Sequence, residues 1–404
     1  MLADASDLNS IPTVLSPHVS QNIDRVLTAI RTHFRMDVAF VSEFLGTNRI
    51  LKHVNCDDAD GPYKAGDVIP LAAGYCKHVA SGALPQLIAD TSVVELAMSI
   101  AETASIPIGA HLSVPIKVDD ERIFGTFCCF SHEPQPELGE RDLDLLKTFS
   151  LLLAADIAAD VSENRARRAA VERIGSAIRS GDPNLVFQPI RALNDGSILG
   201  VECLSRFATE PARPPNEWFA EAHRVGLGAE LELLVARKAI SSCAHLPAPA
   251  SLSINISPNT LLQQGPLSQA LSGFDPHRLV IEITEHLPVA DYQSIIDALA
   301  PLRAQGIRIA IDDAGAGYSS MRHILDLRPD IIKFDISLTR NVDRDPIRKA
   351  LAAALGVFAQ RVGTMIIAEG IETQAELDVL CELGFYSGQG YLLGRPKTLD
   401  EIFG

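Results

Sequence analysis

Hydrophobic and polar residues follow two different rhythms along the chain, and the change falls near its middle. In the first half, a helical pattern in "PHVSQNIDRVLTAIRTHF" precedes the short β-rich runs "VAFVSEFL" and "RILKHVNC". Further on, "GYCKHVASG" and residues 93–104 favour short helices, and "AHLSVPIKVDDERIFGTFCCFS" is typical of a β-hairpin. This order of elements predicts an α+β domain over residues 17–161, after an N-terminal tail of residues 1–16.

A long helical pattern begins at Glu140 and continues to the breaker Gly181-Asp182-Pro183. Apolar residues recur along it at steps of three and four, which gives the helix one apolar stripe. The stripe consists of Leu146, Phe149, Leu153, Ile157 and Val161. Such a stripe can pack on its own domain or on a partner helix, and we expect a homodimer to form through it. Residues 162–173 are interpreted as the helical linker between the two halves.

Apolar runs alternate with helical segments in the second half. The runs are "LVFQPI", "ILGVECLSRF", "LSINIS", "LVIEIT", "RIAIDD", "DIIKFD", "MIIAEG" and "GQGYLLG". Buried strands separated by helices in this way predict an α/β fold, a TIM-like (β/α)8 barrel over residues 174–404. A doubly wound sheet is the alternative, but it requires a phosphate-binding glycine fingerprint after the first strand, and "FQPIRALNDG" is not one.

Nearly every apolar run of the second half carries polar residues that can bind a metal ion or a substrate. In a barrel the carboxyl ends of the strands meet at one mouth, so residues far apart in sequence would gather there. The candidates are Gln188, Glu202, Asn255, Glu282, Glu285, Asp312, Asp313, Lys333, Asp335, Glu369, Glu372 and Gln389. One acid at a strand end is commonly a helix cap or a turn residue, but capping does not account for the whole set.

The adjacent carboxylates of Asp312 and Asp313 indicate which chemistry the set performs. Two neighbouring carboxylates repel each other unless cations lie beside them. Oxygen ligands without cysteine or histidine favour Mg²⁺ or Mn²⁺ over zinc. Carboxylates able to bridge two metal ions about 3.5–4 Å apart are typical of two-metal hydrolysis of phosphate esters. The sequence therefore predicts a hydrolase that binds two such ions in each active site.

Charge and composition limit the possible partners and the compartment. The net charge of −16 argues against a nucleic-acid polymer but not against a small anionic ligand, because bound metal ions can invert the local field. The 7 cysteines include no C-x-x-C pair, which indicates inert thiols in a reducing compartment. No apolar run has the length of a membrane span, and the N-terminus lacks a signal-peptide pattern. We expect a cytoplasmic protein that does not bind membranes.

At these candidate residues, the second half resembles the EAL-domain phosphodiesterases, which hydrolyse the bacterial messenger cyclic di-GMP to linear 5′-pGpG. "ECLSRF" stands where the family has its name motif, and "NISP", "EITE", "DDAGAGYSS", "KFD", "AEGIET" and "QGY" follow in order. The resemblance covers residues 174–404 and implies an active, metal-dependent enzyme. It implies the metal ligands Glu202, Asn255, Glu282, Asp312 and Asp313.

The resemblance also implies roles for the residues around the metal ions. Lys333 would hold the attacking water and Glu369 would be the general base, while Glu372 would complete the outer part of the catalytic site. The implied substrate-binding residues are Gln188, Arg206, Asp335 and Gln389. Glu285 would brace a regulatory loop formed by "DDAGAGYSS".

Three positions depart from the family pattern. Cys203 replaces the alanine of the name motif, a change between small residues that we expect to leave Glu202 in place. Ala314 and Ala316 stand where the loop often carries phenylalanine and threonine. The missing aromatic ring would loosen the loop and alter basal activity and dimer coupling.

The first half resembles a GAF domain over residues 17–161, through "YCKHVASGALPQLIAD" and "HLSVPIKVDDERIFGTFCCF". GAF domains bind small molecules or mediate dimerisation. The uninterrupted helical stretch between the halves leads to the hypothesis that the long helix carries a signal from this domain to the loop around Glu285 and Asp313. The sequence names no ligand for this domain. We expect no chromophore on Cys76 and no redox role for the adjacent Cys128 and Cys129.

Two rival functions use the same residues. In one, the second half is a cyclic di-GMP receptor that binds the nucleotide with little or no turnover. In the other, Lys333 forms a Schiff base in an aldolase-like barrel. The many acidic residues argue against the aldolase, because a depressed lysine pKa requires apolar or cationic surroundings.

Overall fold

The structure is a computed structural model that describes residues 12–57, 61–119, 122–283, 291–314 and 318–404. The side chains of residues 313–314 and 318–321 lie outside this description. The chain divides into two compact units, Met1–Arg167 and Arg168–Gly404.

An antiparallel sheet forms the centre of the first unit. Its strands are β1 (Val38–Leu45), β2 (Asn48–Cys56), β3 (Val68–Pro70), β4 (Leu87–Ile88), β5 (Ala110–Lys117) and β6 (Ile123–Ser131). They lie in the order β3-β2-β1-β6-β5-β4, and the predicted hairpin is the antiparallel pair β5 and β6. The helices are α1 (Pro17–His33), α2 (Tyr75–Ala80), α3 (Glu95–Ser99), α4 (Ala101–Ser105) and α5 (Glu140–Ser180), of which α5 continues into the second unit.

Helices α1 and α5 cover one face of this sheet. The Ser16 side chain caps α1 by accepting from the backbone N–H of Val19, and Pro17 occupies the first turn, where its missing N–H costs nothing. The buried face of α1 consists of Val19, Ile23, Leu27 and Ile30. These residues share a core with the α5 stripe. The stripe therefore packs on its own unit, whereas Leu151 and Leu152 of α5 are 72% and 61% exposed.

A closed barrel forms the second unit, which confirms the predicted fold class. Its strands are β7 (Asn184–Ala192), β8 (Ile198–Arg206), β9 (Ser251–Ile256), β10 (Leu279–Ile283), β11 (Arg308–Ala314), β12 (Ile331–Phe334), β13 (Met365–Ala368) and β14 (Ser387–Gly388). The closed order is β10-β11-β12-β13-β14-β7-β8-β9. Around them are α6 (Pro215–Val225), α7 (Gly228–Ser242), α8 (Pro258–Leu261), α9 (Gln264–Leu271), α10 (Tyr292–Ala304), α11 (Tyr318–Leu327), α12 (Ile336–Thr339), α13 (Pro346–Val362), α14 (Gln374–Glu382) and α15 (Leu399–Phe403).

One strand of the barrel runs against the others. Strand β7 pairs antiparallel with both β8 and β14, while the remaining pairs are parallel. Only residues 193–197 separate β7 from β8, which is too short for the crossover that a parallel pair needs. Gln188 was expected at a strand end, together with the other candidates. This expectation was wrong, because Gln188 lies in the middle of β7, directly across from Glu202.

Strand β11 contains an irregularity at the adjacent carboxylates. Ile311 pairs with Ile332, and the next pair is Ala314 with Phe334, so β11 uses one more residue than β12 over this stretch. An extra residue of this kind is a β-bulge, which interrupts the alternation of a strand and is frequent beside active sites. The bulge falls at Asp312 and Asp313.

None of the helices in the described part of the chain has an apolar stretch of the length and hydropathy that crossing a membrane requires.

Candidate active site

The ammonium group of Lys333 lies inside the barrel, in contact with carboxylates from several strands. Lys333 is the third residue of β12, and its side chain is 1% exposed. Its Nζ makes four ion pairs: Glu282 Oε2 at 2.8 Å, Glu369 Oε1 at 2.9 Å, Asp312 Oδ1 at 3.0 Å and Glu202 Oε2 at 3.4 Å. The carboxylates come from β8, β10, β11 and the residue after β13, so the closure of the barrel brings together acids far apart in sequence.

The cluster carries more negative than positive charge. Burial, followed by the neighbouring Glu202 and Asp312, raises the pKa of Glu282 to about 8, although Lys333 opposes the shift. Burial also raises the pKa of Glu369 well above its usual range. Burial alone would lower the pKa of Lys333, but the surrounding carboxylates raise it well above the ordinary value. Lys333 alone therefore does not neutralise the four carboxylates, and bound protons or a cation would supply the remaining positive charge.

Two amide side chains hold the carboxylates in position. Gln389, which follows β14, donates from Nε2 to Glu202 Oε2 at 2.7 Å and to Glu369 Oε1 at 2.9 Å. Asn255 of β9 donates from Nδ2 to the other oxygen of Glu202 at 3.2 Å. Asn255 also pairs with Glu282 in the register of β9 and β10. Both amides keep a side-chain oxygen that can face a cation.

The donor set fits a hard divalent cation. Within the part of the chain that the structure describes, Glu282 Oε1 and Gln389 Oε1 are buried and have no hydrogen-bond partner. Buried acceptors without partners are costly, and a metal ion would satisfy both. No group of three or more His, Cys, Asp or Glu side chains among the described residues has the spacing of a ready-made metal site. The ammonium of Lys333 stands between the carboxylates instead.

Four predicted residues lie outside this cluster. Gln188 donates to the carbonyl of Gly394 at 3.2 Å, and Arg206 is an exposed residue that ends β8. Asp335 caps α12 by accepting from the backbone N–H of Ser337 at 2.9 Å. Glu372 is 40% exposed and pairs with Arg340 at 2.9 Å. The cluster thus contains Glu202, Asn255, Glu282, Asp312, Lys333, Glu369 and Gln389, and the assigned roles of these four residues stay predictions.

The regulatory-loop predictions lie largely outside the described residues. This applies to Glu285, to Ala316 and to the side chains of Asp313 and Ala314. Cys203, in contrast, is buried in the apolar core outside the strands, with Val201 and Leu252. Because side chains alternate along a strand, Cys203 lies on the face opposite Glu202.

Two features of the site were not anticipated from the sequence. Gln389 was assigned to the substrate, but its amide bridges Glu202 and Glu369. Arg340, which pairs with Glu372, was not considered. Arg340 follows α12 on the surface, and no local pattern distinguishes it from the other arginines. The position of Gln389 directly after the last strand was the available signal for its inward direction.

The charge around Lys333 also argues against the hypothesis that Lys333 forms a Schiff base with a substrate. A lysine nucleophile must lose its proton near neutral pH, which requires a lowered pKa. The carboxylates raise the pKa of Lys333 instead, so the amine stays protonated.

Comparisons with known families agree with this geometry. The EAL domain model matches residues 171–396, which is more than half of the chain. The chain belongs to the EAL domain family. The GAF domain model matches residues 18–157, so the first unit is a GAF domain that precedes the EAL barrel in the sequence.

Individual relatives match the EAL domain. An uncharacterised signalling protein of Caulobacter vibrioides is 32% identical over 248 residues, which are 59% of this chain and 30% of that protein. A protein of Pseudomonas aeruginosa named cyclic di-GMP phosphodiesterase is 31% identical over 229 residues, 54% of this chain and 39% of that protein. This chain therefore spans well under half of the length of these relatives. The solved structure of the phosphodiesterase PaMucR with c-di-GMP has a TM-score of 0.53 at 26% identity, covering 58% of this chain and 100% of that one.

Proposed function

We propose that this EAL domain hydrolyses cyclic di-GMP to linear 5′-pGpG with two Mg²⁺ or Mn²⁺ ions. The observation that carries the proposal is the buried cluster of Lys333 with its carboxylates, where Glu282 Oε1 has no partner among the described residues. The cyclic di-GMP phosphodiesterase of Pseudomonas aeruginosa and the c-di-GMP complex of PaMucR, to which the chain is similar, support this substrate.

The ions would be held by oxygen atoms at the carboxyl ends of the strands. The proposed ligands are Glu202, Asn255, Glu282, Asp312 and Asp313. Bound there, Mg²⁺ or Mn²⁺ supplies neutralising charge for the phosphodiester and lowers the pKa of a bound water.

The side chains of the protein position the reacting groups and accept the proton. Glu369 takes the proton of the attacking water, and the raised pKa of its buried carboxyl favours the protonated product of this transfer. Lys333 fixes Glu369 by a contact of 2.9 Å and orients the water. In-line attack then expels the ribose 3′ oxygen. Arg206, at the end of β8, offsets charge on the phosphate, while Gln188, Asp335, Glu372 and Gln389 contribute to the outer site.

Metal-dependent turnover by the full chain tests this proposal. Cyclic di-GMP is incubated with the protein and Mg²⁺ or Mn²⁺, and linear pGpG is quantified by chromatography. We expect product that disappears with EDTA and falls at least about 100-fold in Glu202→Ala. The matched control is Glu382→Ala, which removes an exposed glutamate of α14. Binding of the nucleotide without product under all these conditions would support the receptor instead.

We further propose that the GAF domain regulates the barrel, that α5 transmits the signal, and that the protein is a homodimer. The unbroken helix Glu140–Ser180 and the exposed Leu151 and Leu152 support this proposal. We also propose that the protein is cytoplasmic, which the lack of a C-x-x-C pair in the sequence supports. In sedimentation, the double variant Leu151→Lys/Leu152→Lys should be a monomer. The natural protein should be a dimer, and so should the control variant Leu262→Lys, which changes an exposed leucine of the barrel. Equal sedimentation of all three proteins would rule out α5 as the interface.

A further inference from the structure

Two cysteine sulfur atoms are in contact inside the GAF domain, where the sequence indicated inert thiols. Cys76 Sγ on α2 and Cys128 Sγ on β6 are 3.7 Å apart. Both residues are fully buried, and both are free thiols. A disulfide requires a sulfur–sulfur distance of about 2.05 Å, so the two sulfur atoms, already in contact, would have to approach each other by roughly 1.7 Å.

A buried arginine contacts one sulfur atom of the pair. Arg49 is fully buried, and its Nη1 lies 2.7 Å from Cys76 Sγ. The same guanidinium pairs with Glu102 and lies 3.4 Å from the Tyr63 hydroxyl. A side chain at Gly74 would come within 2.3 Å of Glu102 and 2.6 Å of Arg49, so the glycine makes room for this group of residues. A buried positive charge is stable only beside anions, and a Cys76 thiolate is one.

The surroundings shift the pKa values of the two thiols in opposite directions. Burial alone would raise the pKa of Cys76, but a hydrogen bond with Cys128 and the charge of Arg49 lower it to about 5. Burial and the neighbouring Cys76 raise the pKa of Cys128 well above its ordinary value. Cys128 Sγ also lies 3.1 Å from Thr126 Oγ1 and 2.9 Å from Ser113 Oγ. A thiolate is the nucleophile in thiol oxidation, and a neighbouring thiol can resolve the product.

We propose that Cys76 and Cys128 form a disulfide inside the GAF domain when the protein meets hydrogen peroxide, and that a dithiol reduces it again. The Cys76 thiolate attacks one peroxide oxygen, the O–O bond breaks, and the leaving hydroxide takes up a proton to become water. The Cys128 sulfur then attacks the Cys76 sulfenic acid. The S–O bond breaks, and the Cys128 proton leaves with the hydroxyl as a second water. Two electrons pass from the sulfur atoms to the peroxide.

The cross-link would change the charge around Arg49. It joins α2 to β6 and removes the thiolate, so the guanidinium keeps Glu102 as its anionic partner. Glu102 also accepts from the backbone N–H of Tyr75, the first residue of α2. Oxidation would therefore affect the start of α2 through two contacts, the link from Cys76 to β6 and the hydrogen bond from Tyr75 to Glu102. The inference is independent of the proposed phosphodiesterase activity.

The full chain is treated with hydrogen peroxide, alkylated, digested without reductant and examined by mass spectrometry. We expect a peptide pair linked through Cys76 and Cys128 that disappears on treatment with dithiothreitol. In Cys128→Ser the link should be absent, and dimedone should trap a sulfenic acid on Cys76. The exposed Cys381 reports that the oxidant has acted.

Cys129→Ser is the matched control. Cys129 is as buried as Cys128, but it lies on the other face of β6, in the core with α1 and α5. Its removal should leave the linked pair unchanged. Oxidation of Cys381 with no Cys76–Cys128 link in the natural protein would overturn the proposal. A link from Cys76 to another cysteine, or between chains only, would also overturn it.

Discussion

Lys333 and the acidic side chains around it give the barrel interior a charge that the described residues do not balance. One ammonium faces four carboxylates within 3.4 Å. Burial raises the pKa of two of them, Glu282 and Glu369, so the site takes up protons where a cation is lacking. In the proposed two-metal site, divalent ions and protons would therefore compete for the same oxygen atoms.

Two glutamates three positions apart are predicted to differ in function. Glu369 lies 2.9 Å from Lys333 inside the barrel, whereas Glu372 pairs with Arg340 at the surface. Of these two glutamates, Glu369 alone lies beside Lys333, where it can accept the proton of the attacking water. Glu369→Gln should therefore lower kcat by at least about 100-fold. Glu372→Gln should change it by less than about tenfold. Both variants are assayed for pGpG formation at saturating cyclic di-GMP, and equal losses would contradict the assignment of Glu369 as the base.

The sequence predicted the central residues of the site better than the outer ones. A lysine in an apolar strand, as in "DIIKFD", requires an anionic partner, and this requirement led directly to the cluster around Lys333. Asp335, two residues later, looked equivalent in sequence but serves as a helix cap. The direction of a side chain beyond a strand end depends on the following turn. That turn is set by tertiary packing and not by the local pattern.

Helix α6 is attached to the end of α5 through one buried carboxylate. Glu221 of α6 accepts from Arg173 of α5 at 3.1 and 2.8 Å and also pairs with Arg213. Hydrogen bonds from Arg173 come first among the causes that lower the pKa of Glu221 to about 2. A carboxyl whose pKa is lower in the folded state stabilises the fold above its unfolded pKa. That contribution is lost as the pH falls towards the folded value.

Glu221→Gln should destabilise the second unit in a pH-dependent way. At pH 7 we expect the free energy of unfolding to fall by about 1–3 kcal/mol, because Arg173, Arg213 and Arg224 lose their shared anion. The difference from the natural protein should shrink between pH 4.5 and pH 2, the ordinary and the lowered pKa of Glu221. Urea unfolding at pH 7 and pH 3 measures this. Glu217→Gln, on the exposed face of α6, is the control, and a pH-independent difference would refute the linkage.

At the level of elements, apolar runs identified seven of the eight barrel strands, but not the direction of each. The eighth run, "GQGYLLG", overlaps β14 only at Gly388, and its other residues follow that strand in bends and turns. The antiparallel course of β7 follows from the short connection at residues 193–197, and "ALNDGS" there already contains a turn signal. The apolar stripe of α5 was equally compatible with a partner helix and with the GAF sheet. Periodicity shows that a face is buried without showing against what, and here the stripe packs against α1 and the sheet.

The two units of the molecule have separate cores, and the fluorescence of one tryptophan can be used to follow unfolding of the second unit. Trp218 is the single tryptophan of the chain. It is fully buried between α5 and α6, stacked on Phe207 at 4.7 Å and under the Arg213 guanidinium at 4.2 Å. Its fluorescence therefore follows unfolding of the EAL barrel, whatever happens to the GAF domain.

Divalent ions should stabilise the barrel against heat. A ligand that binds only the folded state at 100 times its Kd contributes about 2.7 kcal/mol, which for a unit of this size raises the Tm by roughly 5–10 °C. We expect Mg²⁺ or Mn²⁺ to produce this shift in the Trp218 transition of the full chain, and EDTA to reverse it. Glu282→Gln removes a ligand charge and should abolish most of the shift, whereas Glu382→Gln should retain it. Equal shifts in both variants would place the ions elsewhere and remove the basis of the two-metal proposal.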